Sequence, residues 1–116
     1  MRSSIEKILH KKKDIHAVTE LKITLSRLLQ KNLVKLVLFG SKVSGEDTPH
    51  SDIDILVLIK DSARPILDQI FECTFAINLK YNVYISPRIV PLSVFNNRLW
   101  KITPFIKNLK STGIQL

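Results

Sequence analysis

The seven residues Ile53-Asp54-Ile55-Leu56-Val57-Leu58-Ile59 constrain this chain more than any other segment. The run is too short to cross a membrane. It is also too rich in branched residues to read as a surface helix. Unlike a half-buried strand, it does not alternate between apolar and polar positions. A short apolar run of this kind, broken only at Asp54, predicts a strand, Asp52 to Lys60, buried on both faces. Such a strand needs cover on each side, so the rest of the chain must supply helices and neighbouring strands.

The remaining segments read accordingly. Ser3-Ser4-Ile5-Glu6 has capping-box spacing and predicts a short helical extension over residues 1–13. Ile15, Val18, Leu21, Leu25, Leu28 and Leu29 recur at helical spacing, so residues 14–31 are expected to form an amphipathic helix. Leu33 to Phe39 reads as a strand ending at Gly40. Residues 41–51 are polar and turn-rich. Asp61-Ser62 and Pro65 signal a helix from Ala63 to about Lys80, with Ile66, Ile70, Cys73 and Ile77 on one face. Val83 to Val90 reads as a third strand, and Pro87 within it favours an edge or a bulge. Pro91-Leu92-Ser93 starts a short helix. Trp100, Phe105, Ile106 and Leu109 are many large apolar groups for a tail, enough either to close the core or to cover a neighbouring protein. The expectation is a single mixed α/β domain over residues 1–116, a small sheet flanked by helices.

Charge is distributed unevenly. Lys and Arg outnumber Asp and Glu nine to three in residues 1–35 and six to none in residues 80–116, but are outnumbered seven to three in residues 36–79. An acidic centre between basic ends suits a cation site framed by groups that attract phosphate. Basic ends also allow nucleic-acid binding, but no recognition motif supports it. A single cysteine, Cys73, rules out a disulfide within the chain. With no secretory or membrane signal, the expected location is cytoplasmic.

The chemistry concentrates in Leu38-Phe39-Gly40-Ser41 and, ten residues later, Asp52-Ile53-Asp54. Alternation places Asp52 and Asp54 on one face of a strand. Two adjacent carboxylates repel, and a hard divalent cation such as Mg²⁺ removes that penalty. Gly40 lets backbone approach a phosphate closely, and Ser41 offers a hydroxyl and a backbone donor. Alone, an Asp-x-Asp pair is surface decoration and a Gly-Ser pair an ordinary turn. Their order and spacing give the signal. A P-loop is excluded because no Gly-Lys-Ser/Thr follows Gly40, and an EF-hand because a strand follows Asp54.

Phe39-Gly40-Ser41, Gly45 and Ser51-Asp52-Ile53-Asp54-Ile55 resemble the signature of minimal nucleotidyltransferases of the DNA polymerase β-like superfamily. The resemblance extends over roughly residues 15–116, through Tyr81-Asn82-Val83-Tyr84-Ile85-Ser86-Pro87 and Pro104-Phe105-Ile106-Lys107-Asn108. It implies a polymerase β palm-like fold, ATP as substrate on Gly40 and Ser41, and Mg²⁺ on Asp52 and Asp54. It also implies transfer of AMP to a hydroxyl of a partner protein. Similar domains are encoded beside a small helical HEPN protein as a toxin–antitoxin pair, so that partner or a homodimer is expected. The family's full set has a third carboxylate on the strand after the central helix. This chain has no Asp or Glu beyond Glu72, which leaves Ser86 as a weak stand-in. The alternative is a non-catalytic module that binds nucleotide or masks a partner.

Overall fold

The computed structural model describes Leu9, residues 11–40, 52–97, Trp100 and residues 103–116, with side chains at 108 and 110–112 aside. The elements run α1 (Lys12–Leu29), a 3-10 turn (Gln30–Asn32), β1 (Leu33–Phe39), β2 (Ile53–Ile59), α2 (Arg64–Tyr81), β3 (Ile85–Pro91), α3 (Leu92–Phe95), α4 (Pro104–Thr112) and β4 (Ile114–Gln115). The sheet order is β3-β2-β1-β4. β1 is antiparallel to β2 and to β4, whereas β2 and β3 are parallel and joined by α2. This is the mixed sheet flanked by helices that the sequence implies.

Strand β2 is buried on both faces, as its composition requires. Ile53, Ile55, Val57 and Ile59 point into one apolar cluster with Val18, Leu21 and Leu25 of α1 and Ile70 and Ile77 of α2. Leu56 and Leu58 point the other way, into a second cluster with Val37, Val90, Ile106 and Leu109. α1 and α2 therefore cover one face of the sheet, and α4 covers the other.

α1 begins at Lys12, so Asp14 sits in its first turn instead of opening it. A carboxylate there faces the positive end of the helix dipole, which extends the helix past the expected start. Leu29 is buried, but Leu28 is about half exposed. Gln30, at φ 47°, ends the helix, and its N–H donates to Ser26 O. The expected helix within residues 1–13 lies largely outside the described residues.

Pro65 stands in the first turn of α2, and the Ala63 N–H donates to Asp61 Oδ1 at 3.0 Å. β3 lies at the sheet edge, where Pro87 belongs. An edge strand has an unpaired row in which a missing donor breaks no ladder bond. Pairing with β2 continues past it from Ile53↔Ile85 to Ile59↔Pro91, so the proline causes no interruption. The start of β3 is tied to α2 by one side chain. Asn78 Nδ2 donates to Ile85 O at 3.1 Å, and Ile85 N donates to Asn78 Oδ1 at 2.8 Å.

The tail folds back on its own domain. Thr103 caps α4 by accepting from Ile106 N. Ile106 and Leu109 are buried against the sheet, with Trp100 and Phe105 packed beside them. Ile106 and Leu109 thus close the core, and Trp100 and Phe105 stay partly buried against it. Gly113 ends α4 so tightly that a Cβ there would stand 2.8 Å from Val37 Cγ1. The short strand β4 then pairs with β1. Among the described residues no helix is long and apolar enough to cross a membrane.

The Asn78 clamp yields the first prediction. Asn78→Ala leaves a strand-end N–H and C=O without their partner, and should lower unfolding stability by about 1–3 kcal/mol. Urea denaturation followed by circular dichroism measures it.

Candidate active site at the head of the central strand

Asp54 is the second residue of β2, opposite Phe39 on β1 and opposite Ser86 on β3. It shares the face of Leu56 and Leu58, so its carboxylate lies on the α4 side of the sheet, away from α1 and α2. Asp52 stands just before the strand and is exposed, while Asp54 is half-buried. Alternation aims both to one side.

Gly40 follows β1 and meets Asp54 across the sheet. Its φ is +84°, and a Cβ on it would overlap Asp54 Oδ2 and stand 3.0 Å from Cγ. Two independent reasons thus require glycine here: the backbone lies where L-residues are strained, and the carboxylate occupies the space a side chain would take. Gly40 and Asp54, fourteen positions apart in the chain, are in contact.

The electrostatics agree with the packing. Burial pushes the Asp54 carboxyl above its usual range, the charge of Asp52 raises it further, and Arg88 partly offsets both. Two neighbouring carboxylates beside a glycine backbone fit a hard divalent cation that takes its remaining ligands from water and phosphate. Among the described residues no cluster of three Asp, Glu, His or Cys side chains forms. Ser86 stands in register beside Asp54, at the position where a third acid would complete such a cluster.

Arg88 was not marked by any motif. It lies two residues beyond Ser86, on the same face by alternation, with its guanidinium 5.3 Å over the Phe105 ring. Phe105 in turn packs edge-on against Phe39, with ring centroids 5.2 Å apart, and lies 5.7 Å from Trp100. The tail aromatics therefore brace the strand that carries Gly40. Strand alternation from Ser86 was the only sequence signal that could have found Arg88. Tyr84, also on this face, is 70% exposed. Cys73 is no rival nucleophile: burial first, and then the charge of Glu20, raise its thiol. A cavity of about 590 Å³ lined by Ser93, Val94, Asn97, Trp100 and Thr103 includes neither Gly40 nor Asp54. Ser41, Gly45 and Ser51 lie outside the described residues.

A strand–Gly–Asp-x-Asp arrangement on a mixed sheet is the frame of a nucleotide-transfer domain, and comparison with known proteins agrees. The nucleotidyltransferase domain family matches residues 18–114, and the chain belongs to that family. A proposed protein adenylyltransferase of Methanocaldococcus jannaschii, MJ0141, is 30% identical over 105 residues, spanning 88% of this chain and 97% of that protein. Among solved structures, a toxin–antitoxin with AMP-PNP shares the fold at a TM-score of 0.55 and 23% identity, covering 83% of this chain and 69% of the other. A mutant of the toxin–antitoxin MntA-HpeT is similar at a TM-score of 0.53 and 25% identity, covering 84% and 70%.

Two predictions follow from the geometry. Gly40→Ala should cost about 1–2 kcal/mol from backbone strain and displace the Asp54 carboxylate; chemical denaturation reports the first effect and a crystal structure the second. Asp54→Asn should raise the melting temperature in metal-free buffer near neutral pH. The sign follows from the raised carboxyl. The folded chain holds that proton more tightly than the unfolded one, so stability falls as pH rises from the ordinary carboxylate value of about 3.9 through the folded value. Below that window both forms of Asp54 are neutral, and wild type and variant should converge. Calorimetric melting across pH checks it.

Proposed function

We propose that this domain transfers AMP from ATP to a hydroxyl of a partner protein. The triphosphate would lie on Gly40 and Ser41, and Asp52 and Asp54 would hold Mg²⁺. The observation that carries this reading is the contact between Gly40 and Asp54. It joins a backbone open to phosphate with a carboxylate whose ionised form is disfavoured until a cation arrives. The name of the M. jannaschii relative supports a protein as acceptor. The toxin–antitoxin neighbours support the antitoxin of a HEPN/MNT-type pair, with a small helical toxin as that acceptor.

In the transfer, a bond forms between the acceptor oxygen and the α-phosphorus, and the bond from that phosphorus to the bridging oxygen of pyrophosphate breaks. The hydroxyl proton leaves to solvent. Bound Mg²⁺ supplies positive charge where negative charge gathers on the phosphates. The protein's own residues do the positioning. Gly40 admits the phosphate, Asp52 and Asp54 set the cation's place, and the Phe39–Phe105 contact keeps the end of β1 from shifting.

Ser86 in register beside Asp54 favours a second reading. With no acid to take the acceptor's proton, the domain would bind nucleotide and mask a partner without turning over. General-base assistance contributes about 10²–10⁴-fold, so its absence slows transfer without removing the rest of the machinery.

Incubation with α-labelled ATP, Mg²⁺ and the protein product of the neighbouring gene tests the reading. Label should appear on that protein and be lost with Asp52→Asn/Asp54→Asn, whose fold should persist. Ser86→Asp should raise the rate. Unchanged calorimetric affinity for ATP·Mg²⁺ in the double variant would sink the metal assignment. Nucleotide binding with no label, even with Ser86→Asp, would establish the masking module instead.

A further inference from the structure

The helical side of the sheet carries apolar groups that its own core does not use. Ile23 on α1 is 45% exposed, and Phe75 and Leu79 on α2 are 65% and 68% exposed. At 100° per residue, Phe75 and Leu79 lie opposite the buried stripe of Ile70, Thr74 and Ile77, and Ile23 lies opposite Val18, Leu21 and Leu25. All three therefore project outward from the two-helix layer, where grouped apolar side chains mark an interaction surface.

Both helices of this layer carry charges of both signs, and several of them are already paired. α1 presents Lys12 and Arg27 outward; its one outward carboxylate, Glu20, is held by Lys80 Nζ at 2.7 Å and Tyr81 Oη at 2.8 Å. α2 presents Asp68 and Glu72. Arg64 pairs with Asp68 at 3.1 Å. Among the described residues neither Arg27 nor Glu72 has an ion-pair partner. The Glu20–Lys80 and Lys13–Asn82 contacts set the two antiparallel helices side by side. At equal rise, Arg27 then stands at about the height of the turn containing Asp68 and Glu72, and Ile23 at about the height of Phe75.

We infer that this layer is an interface between two copies of the chain. A twofold axis running along the helices lays α1 of each copy on α2 of the other. Arg27 of one then meets Glu72 of the second, and Ile23 meets Phe75. Both contacts occur twice, so the assembly closes as a dimer and does not grow. A second copy is favoured over a foreign protein because Arg27 and Glu72, of unlike charge and each without an ion-pair partner among the described residues, stand at matching heights on the two neighbouring helices. A twofold rotation about an axis along the helices brings that pair together twice, once at each α1–α2 contact. Asp54 lies on the other face of the sheet, so the dimer leaves the candidate active site open.

The test measures mass in solution by sedimentation as concentration is raised. The wild-type chain should form a species of about twice 13.3 kDa. Phe75→Ser should abolish it without changing the circular dichroism spectrum. Arg27→Glu and Glu72→Lys should each weaken association roughly tenfold, since each reversal acts at two symmetry-related contacts. Mixing those two variants should restore the dimer, because both contacts in the mixed pair are complementary again. A merely structural role within one chain cannot produce that rescue. A wild-type chain that stays monomeric into the hundreds of micromolar overturns the inference. So does a dimer indifferent to Phe75→Ser, or a mixture that fails to associate. None of these outcomes depends on nucleotide binding, which calorimetry with ATP·Mg²⁺ follows separately in the same variants.

Discussion

The architecture depends on burying β2 from both sides. Ile53, Ile55, Val57 and Ile59 need one layer of cover, and Leu56 and Leu58 need another. Neither layer is dispensable, because each exposed face would return several large side chains to water at about 1.5–3 kcal/mol apiece. α1 and α2 satisfy the first demand, and the tail helix α4 satisfies the second. The strand also sits inside the sheet, between β3 and β1, which leaves the edges to β4 and to β3 with its proline.

A strand so thoroughly buried has one place for a carboxylate, its end. Asp54 occupies that place, where the sheet opens past Gly40. It is still dry enough for its charge to be disfavoured, and Asp52 adds to the strain. The candidate active site is thus the point at which the most apolar strand stops being apolar. Arg88 offers part of the missing positive charge, but it lies over Phe105 and makes no ion pair with Asp54 among the described residues. The net effect of burial, Asp52 and Arg88 leaves the ionised Asp54 disfavoured, a balance that an added cation would relieve.

The two sides of the sheet divide the work. The α4 face holds Gly40, Asp54, Ser86 and Arg88, with the tail aromatics packed behind them. The α1/α2 face holds the main core and, outside it, the exposed side chains of Ile23, Phe75 and Leu79. The candidate site and this exposed apolar surface therefore lie on opposite sides of the sheet.

Much of this was legible in the residues. The limits of β1 follow from its branched run up to Gly40, and α2 follows from Asp61, Pro65 and the spacing of Ile70 and Ile77. That Tyr84 and Ser86 share a face follows from simple alternation of strand residues. These are local properties, set by backbone sterics and by periods of two and 3.6 residues. What the sequence could not determine depends on contacts between distant segments. The nine-residue α4 and the two-residue β4 are short for a reading by pattern, and their places are set by the cover they give to β1 and the second cluster. Leu28 and Leu29 are the same residue type, and only the direction of packing decides which is buried. Gly40 reads as a turn glycine in the sequence; its need to make room for Asp54 appears only once β1 and β2 are paired. Arg88 carries no motif, and its place beside the carboxylates comes from the parallel register of β3. The sequence by itself determined the elements and the chemistry they carry. Tertiary structure decided which of them meet, because burial and strand register act between segments that the chain holds far apart.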